Sequence, residues 1–265
     1  MFCDLSLARR LEGAEASAGA GAARALLRLR PESGAAVEAI AGGWAIFAGK
    51  DSPITQAFCI GLDGAVSPEE MDRLEGFFRS RGAAVNIEHS PHAHATVAEH
   101  YGKRGYRPIE FSNTLYRPLS RGEILPAAPV EVRPITSAEV DLWARTVLEG
   151  FAEQVAVTDE MLETLSCFAR NPASAYFLAH VDAVPAGAAA VCIHEGVGVV
   201  NGASTLPRFR GRGVQRALLL ARLRYAADQG CDLAMTNTAP GSGSQRNVER
   251  LGFKVAHSRT KFHLP

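Results

Sequence analysis

The sequence predicts an α/β protein built from two compact units, and three observations predict it. Strand-like runs stand before, between and after helical segments in the C-terminal half, an order that implies a sheet covered by helices. At 265 residues with 47% hydrophobic side chains, the chain can build two cores of ordinary size. The halves also repeat one another: Gly105-Tyr106-Arg107-Pro108-Ile109 leads to Pro118 over the interval by which Gly252-Phe253-Lys254-Val255-Ala256 leads to Pro265. Each is preceded by a helix ending in glycine (Gly82, Gly230), a strand and a proline (Pro91, Pro240). The matched order points to a duplicated fold.

Taken in order, Leu5 to Leu29 is rich in Ala, Leu and Arg and reads as helix, with Gly19 and Gly21 as possible breaks. Trp44–Ala48 and Thr55–Ile60 flank the turn-forming Gly49-Lys50-Asp51-Ser52-Pro53 and read as a β-hairpin. Ser67-Pro68-Glu69-Glu70 opens a helix: a capping serine, proline at the first position, then acids in the first turn. The proline-rich stretch 121–129 is a linker, dividing residues 1–120 from residues 130–265. The second unit reads as strand 130–134, helix 137–151, helix 158–170, strands 175–182, 187–194 and 198–206, helix 214–229, strand 232–237, helix 244–251 and an extended tail.

Composition excludes several functions. Twenty-eight Lys and Arg balance 28 Asp and Glu, so no net charge calls for nucleic acid or an anionic membrane. Cys3, Cys59, Cys167, Cys192 and Cys231 are odd in number and scattered, which fits reduced thiols better than a disulfide framework. With no apolar leader and no run of about 20 apolar residues, the expectation is a soluble cytoplasmic protein whose partner is a small molecule or another protein.

The chemistry concentrates between Val199 and Ala221. Val199-Val200-Asn201-Gly202-Ala203-Ser204-Thr205-Leu206 reads as a strand, Pro207-Arg208-Phe209-Arg210-Gly211-Arg212-Gly213 as a loop, and Val214-Gln215-Arg216 as the start of a helix. Gly211 and Gly213 can adopt positive φ and turn several N–H groups inward. The helix start adds unsatisfied N–H groups, and Arg208, Arg210 and Arg212 add charge, so a diphosphate is the natural occupant. Neither this loop nor Ala239–Ser244 carries the Lys-Ser/Thr pair of a Walker site.

The run Arg208-Phe209-Arg210-Gly211-Arg212-Gly213, an R-x-x-G-x-G at a strand–helix junction, resembles the acyl-coenzyme A motif of the GNAT superfamily. Ser244-Gln245-Arg246-Asn247-Val248-Glu249-Arg250-Leu251-Gly252-Phe253 resembles that family's next block. The resemblance implies two tandem GNAT-like domains, each a mixed, mostly antiparallel sheet flanked by helices. The first is a degenerate copy: its corresponding stretch, Gly61 to Glu70, has no R-x-x-G-x-G and puts carboxylates where a diphosphate needs cations.

The resemblance also implies an N-acetyltransferase using acetyl-CoA as acyl donor. Ser204, Thr205 and Leu206 would meet the pantetheine arm and polarise the thioester carbonyl, and the amides from Arg210 through Gly211, Arg212, Gly213 and Val214 to Gln215 would hold the pyrophosphate, with Ser244 and Asn247 completing the site. An amine on a small molecule or amino acid would attack directly. Many relatives place a protonating Tyr where this sequence has Val248, which keeps a non-catalytic coenzyme A-binding module open as the alternative.

For the base, Glu195 beside His194, and His257 in the last strand, are the candidates; an exposed turn and a structural histidine are the competing readings. His89, His92, His94, Glu99 and His100 form the densest ligand cluster, but their spacing matches no metal motif and reads better as a turn and helix start. No metal is expected. Apolar surface near the acceptor would come from Leu142, Trp143, Val147, Phe151, Met161, Leu165 and Phe168, unless they are core residues. A homodimer is possible.

Overall fold

The computed structural model describes residues 3–128, 130–151 and 156–265. The first half runs α1 (Leu5–Leu29), β1 (Ala36–Ile40), β2 (Gly43–Phe47), β3 (Gln56–Phe58), α2 (Pro68–Arg79), β4 (Val85–His89), α3 (Ala95–Arg104) and β5 (Arg107–Pro118). The second runs β6 (Glu131–Pro134), α4 (Val140–Phe151), α5 (Asp159–Phe168), β7 (Ser174–Val181), β8 (Val184–His194), β9 (Val197–Thr205), α6 (Val214–Asp228), β10 (Leu233–Thr238), α7 (Gly243–Glu249) and β11 (Lys254–Leu264). Pro129, at the end of the expected linker, lies outside the described residues.

Local chemistry explains most boundaries. Asp4 caps α1 by accepting from the Leu7 N–H, and Ser67 and Glu70 close a reciprocal capping box on α2. Gly19 and Gly21 do not break α1, which is one continuous helix. They mark close approaches instead: a Cβ on Gly21 would sit 2.5 Å from Asn171 Nδ2, and one on Gly19 3.2 Å from Ile46 Cδ1. β1, absent from the sequence reading, extends the expected β2–β3 hairpin by pairing Ile40 with Gly43 through Ala36 with Phe47.

The two halves do not form separate sheets. The eleven strands among the described residues all join, in the order β1-β2-β3-β4-β11-β5-β10-β9-β8-β7-β6. β5, the last strand of the first half, pairs antiparallel with β10 (Leu233↔Pro118 through Thr238↔Asn113), and β11 pairs with β4 (Leu264↔Val85 through Thr260↔His89). Each half thus completes the other's sheet, and β5 and β11 pair along the seam. The series β1-β2-β3-β4-β11 mirrors β7-β8-β9-β10-β5, each with one parallel pair, β3–β4 or β9–β10. The exchange leaves neither half with an open edge at the seam.

Helix α1 straddles that seam. Leu7, Leu11, Ala14 and Ala18 pack with Val197, Val199, Leu233 and Met235 of the second half, while Ala16, Ala20, Ala23 and Leu26 pack with Ile46 and Phe58 of the first. Its many alanines let it lie close on the sheet. Helix α4 approaches β9 as closely at Gly150, where a Cβ would fall 2.3 Å from Ser204 Oγ. Gly150→Ala is expected to destabilise the fold by about 1–3 kcal/mol through overpacking, read as a lower urea midpoint; an unchanged midpoint would mean that α4 is free to move.

A buried ionic cluster lies between α1 and the seam strands. Arg259 of β11 grips both carboxylate oxygens of Glu15, with Nη2 2.9 Å from Oε1, and its Nε lies 3.1 Å from Glu88 Oε2. Lys261 Nζ reaches Glu88 at 3.2 Å and Glu110 at 2.9 Å. Burial raises the Glu88 carboxyl above its ordinary value, against the pull of Arg259 and Lys261. For Glu12, burial is again the largest influence and acts upward, but hydrogen bonding to His257 and the charge of Arg259 outweigh it and hold the carboxyl low.

Candidate functional site

Strands β9 and β10 run parallel and are paired only from Leu233↔Val197 to Met235↔Val199. The Thr236 hydroxyl then donates to the Val200 carbonyl at 2.9 Å, and beyond this the strands part. On the other edge of β9 the register with β8 slips between Ala188↔Ser204 and Ala190↔Asn201. This bulge contains Gly202, whose φ of 53° suits glycine.

The parting opens a cavity of about 300 Å³. Val199 to Ala203 of β9 form one wall and Thr236 and Asn237 of β10 the other. Gln215, Leu219 and Arg222 come from α6, Ser244 and Val248 from α7, Phe151 from α4, and Glu15 from α1.

Backbone groups supply the donors. Leu206 N–H is bonded to the Ala186 carbonyl at 3.0 Å, so, contrary to expectation, that amide is not available to a thioester. Alternation along the antiparallel β8–β9 ladder instead turns the Thr205 backbone groups away from β8, toward the parting. Thr205 Oγ1 is buried with no hydrogen-bond partner among the described residues. The Ser204 hydroxyl donates to the Thr146 carbonyl at 3.2 Å and faces α4.

At the mouth, Pro207–Phe209 form a short 3₁₀ turn, and Gly211 and Gly213 have φ of 76° and 81°. Gly213 is the N-cap of α6, and no side chain caps that helix, unlike α1, α2, α3, α5 and α7. The buried Phe209 ring lies under the guanidinium groups of Arg208 and Arg212, 5.0 and 5.7 Å from its centroid. Arg210 Nη2 donates to the Gly150 carbonyl at 3.2 Å. Val214 is buried, whereas Arg208, Arg210, Gly211 and Arg212 face solvent. The mouth is therefore a positive, glycine-lined helix start.

Arg222 forms the inner end. It is fully buried, pairs with no carboxylate among the described residues, and donates to the carbonyls of Leu218, Ala190 and Asn201 at 3.1–3.3 Å. Burial pulls its guanidinium down to about 9. Those bonds tie α6 to both strands at the bulge.

The first half closes the equivalent place. β3 and β4 pair only at Ala57↔Ile87, but a Cβ on Gly61 would meet Val97 Cγ2 at 2.5 Å. His94 N–H bonds the Gly61 carbonyl at 2.8 Å, and the Val66 N–H bonds Thr96 Oγ1 at 2.9 Å. With Ser67 and Glu70 on the start of α2, α3 fills what α7 leaves open.

The expected catalytic residues are placed elsewhere. Glu195 sits in the β8–β9 turn with φ 43° and an exposed side chain. At about 3.3 Å per residue it lies some 20 Å along β9 from the bulge, because that turn is at the opposite end of the strand from the glycine loop. His257 is buried, with Nε2 2.8 Å from Glu12 Oε1, and does not line the cavity. Ser244 does line it, while Asn247 is exposed outside the lining. Of the apolar residues expected near an acceptor, Phe151 reaches the cavity; Trp143 and Val147 are core. The missed residue is Glu15. Its only trace in the sequence is a pair of acids, Glu12 and Glu15, in an otherwise small and apolar helix segment.

The histidine cluster disperses. His89 packs edge-on against Tyr101 and Phe262, His94 caps α3, and His100 bonds the Val66 carbonyl. Only His92 approaches other ligand-type groups, Cys3 and His257.

Residues 142–253 match the acetyltransferase (GNAT) family model. This part of the chain is a GNAT domain. The match begins in α4 and ends after α7, so it contains the glycine loop and both walls of the GNAT cavity except Glu15. A GCN5-related N-acetyltransferase from Kribbella flavida shares the fold with a TM-score of 0.65 and 18% identity, over 92% of this chain and 95% of that one. A tandem GNAT protein from the clavulanic acid biosynthesis pathway aligns with a TM-score of 0.62 and 13% identity, over 92% and 87%. A GCN5-related N-acetyltransferase from Sphaerobacter thermophilus gives 0.57 and 16%, over 79% and 71%. No curated protein matches the sequence. The tandem GNAT likeness spans both halves, in keeping with the mirrored strand order. No described helix is long and apolar enough to cross a membrane.

Proposed function

We propose that the protein is an acetyl-CoA-dependent N-acetyltransferase acting on a small amine, with its chemistry in the parting between β9 and β10. The observation that carries this reading is that α6, whose start is uncapped and carries the glycines and arginines, also sends Gln215 from its first turn into the cavity where β9 and β10 part. The diphosphate would rest on the amides between Gly211 and Gln215, and the pantetheine arm would lie along β9. The first half, whose equivalent gap is filled by α3, would hold no coenzyme A.

The acceptor nitrogen attacks the thioester carbonyl carbon, the oxyanion is held by strand N–H groups such as that of Thr205, and the C–S bond breaks to give the amide and coenzyme A. Val248 cannot protonate the leaving thiolate, so the proton the amine gives up passes to it through another group or through water. Neither Glu195 nor His257 is placed to touch the amine. Glu15, fixed by Arg259, is the carboxylate that can accept the amine's N–H, which makes the first half a contributor to the acceptor pocket. The lining of Val199, Val200, Leu219 and Phe151 suits an amine with an apolar portion.

Thiol release from acetyl-CoA, followed across a panel of small amines and amino acids, tests the reading. Glu15→Gln is expected to lower kcat/KM for the preferred amine by about 10- to 1,000-fold, within the range of a positioned polar group, while acetyl-CoA binding is unchanged. A second reading, a coenzyme A-binding module without transfer, is favoured by Val248 alone; tight acetyl-CoA binding with no amine-dependent thiol release would establish it.

A further inference from the structure

Three residues from distant parts of the chain converge beside the seam, outside the acetyl-transfer cavity. Cys3 lies just before α1, His92 in the loop between β4 and α3, and His257 on β11. Cys3 Sγ is 3.6 Å from His257 Nδ1 and 3.9 Å from His92 Nε2, and the three ligand atoms all lie within 4.8 Å of one another. In a tetrahedral zinc site, with Zn–S near 2.3 Å and Zn–N near 2.0–2.1 Å, sulfur and nitrogen ligands stand roughly 3.5 Å apart.

The buried Glu12 orients this group. Its Oε1 is 2.8 Å from His257 Nε2; as the acceptor, it requires the proton on Nε2 and leaves the Nδ1 lone pair directed at Cys3. A carboxylate behind a histidine in this way is the usual support of a metal-bound imidazole. The same contacts could describe a nucleophilic thiol with a histidine and a carboxylate behind it. Charge decides against that, because Asp4 adjoins Cys3 and Glu12 stands behind His257, so the surroundings are negative. Such surroundings favour a bound dication. His92, moreover, has no part in a thiol–histidine–carboxylate arrangement but is a natural third ligand.

We propose that Cys3, His92 and His257 bind a zinc-type divalent ion, with Glu12 orienting His257 and the fourth position left to solvent. Two ligands belong to the first half and one to the exchanged strand of the second, so the ion clamps β11 to the first half, a role independent of acetyl transfer.

The test is titration of the full-length, chelator-treated protein with Co²⁺, then displacement by Zn²⁺. The expected result is one Co²⁺ per chain, with the intense visible bands of a tetrahedral ion, a thiolate-to-cobalt charge-transfer band, and a higher melting temperature. Cys3→Ser and His92→Ala, both at partly exposed positions near loops, should keep the fold; the first should abolish the charge-transfer band and each should weaken binding at least about tenfold. Absence of these bands in the wild type, or their survival in Cys3→Ser, overturns the proposal. So does transfer of one acetyl group from acetyl-CoA to Cys3 without metal binding, seen by mass spectrometry, which would make the thiol a nucleophile.

Discussion

Arg259→Ala is expected to lower the free energy of unfolding by about 3–5 kcal/mol, the usual cost of removing one partner from a buried ion pair. Arg259 is 4% exposed and serves both Glu15 and Glu88. Without it two carboxylates remain in the seam with only Lys261 near Glu88. Burial and electrostatics oppose one another here: burial, the largest single influence, acts against the Arg259 charge, but Glu15 and Glu88 together outweigh it and raise the guanidinium above its ordinary value. Urea unfolding followed by circular dichroism measures the effect, with the slope unchanged if the denatured state is unaltered. The double variant Glu15→Gln, Arg259→Met should lose less than the sum of its single changes, since Glu15 is then no longer left as a charge without Arg259, and Glu88 keeps Lys261. A loss below about 1 kcal/mol for Arg259→Ala, the scale of an exposed pair, would mean that water reaches the cluster.

Gly211→Glu is expected to weaken acetyl-CoA binding at least about 100-fold, equivalent to roughly 3 kcal/mol. A Cβ on Gly211 meets no atom within 4 Å, so the side chain has room and the fold is kept. The backbone φ of 76° adds a strain cost of order 1–3 kcal/mol to any non-glycine residue there. Gly211→Ala carries the same strain without the charge, and the difference between the two variants isolates the electrostatic part. Calorimetric titration of acetyl-CoA reads both. Equal affinities for Glu and Ala variants would remove the diphosphate from this loop and send the search for its place to the β9–β10 parting alone.

The elements of the GNAT half were largely legible because each carries a local signal. The strand–loop–helix from Val199 to Ala221 combines a β-rich run, a proline, two glycines that need positive φ, and a helical repeat. The capping box at Ser67 and Glu70 likewise works within four residues. Where the reading failed, the deciding partner was distant. Gly19 and Gly21 look like breaks until Ile46 and Asn171 are brought against α1, and β1 has little alternation of its own until β2 lies beside it. Glu195 reads as a candidate base because it sits at the end of the strand before the one that leads into the glycine loop. Its distance from the cavity follows only from which end of β9 holds the glycine loop.

By itself, then, the sequence determined the α/β class, the duplication, and the glycine- and arginine-rich loop at the start of α6, since these depend on periodicity, turn chemistry and backbone freedom over short spans. Only the tertiary structure decided that β5 and β11 change places, that α1 of the first half brings Glu15 to the cavity of the second, and that Cys3, His92 and His257 meet. Those outcomes depend on strand edges finding partners more than 100 residues away and on buried charges finding opposite charges across the seam. Such free energies belong to pairs of surfaces, and no single stretch of the chain carries them.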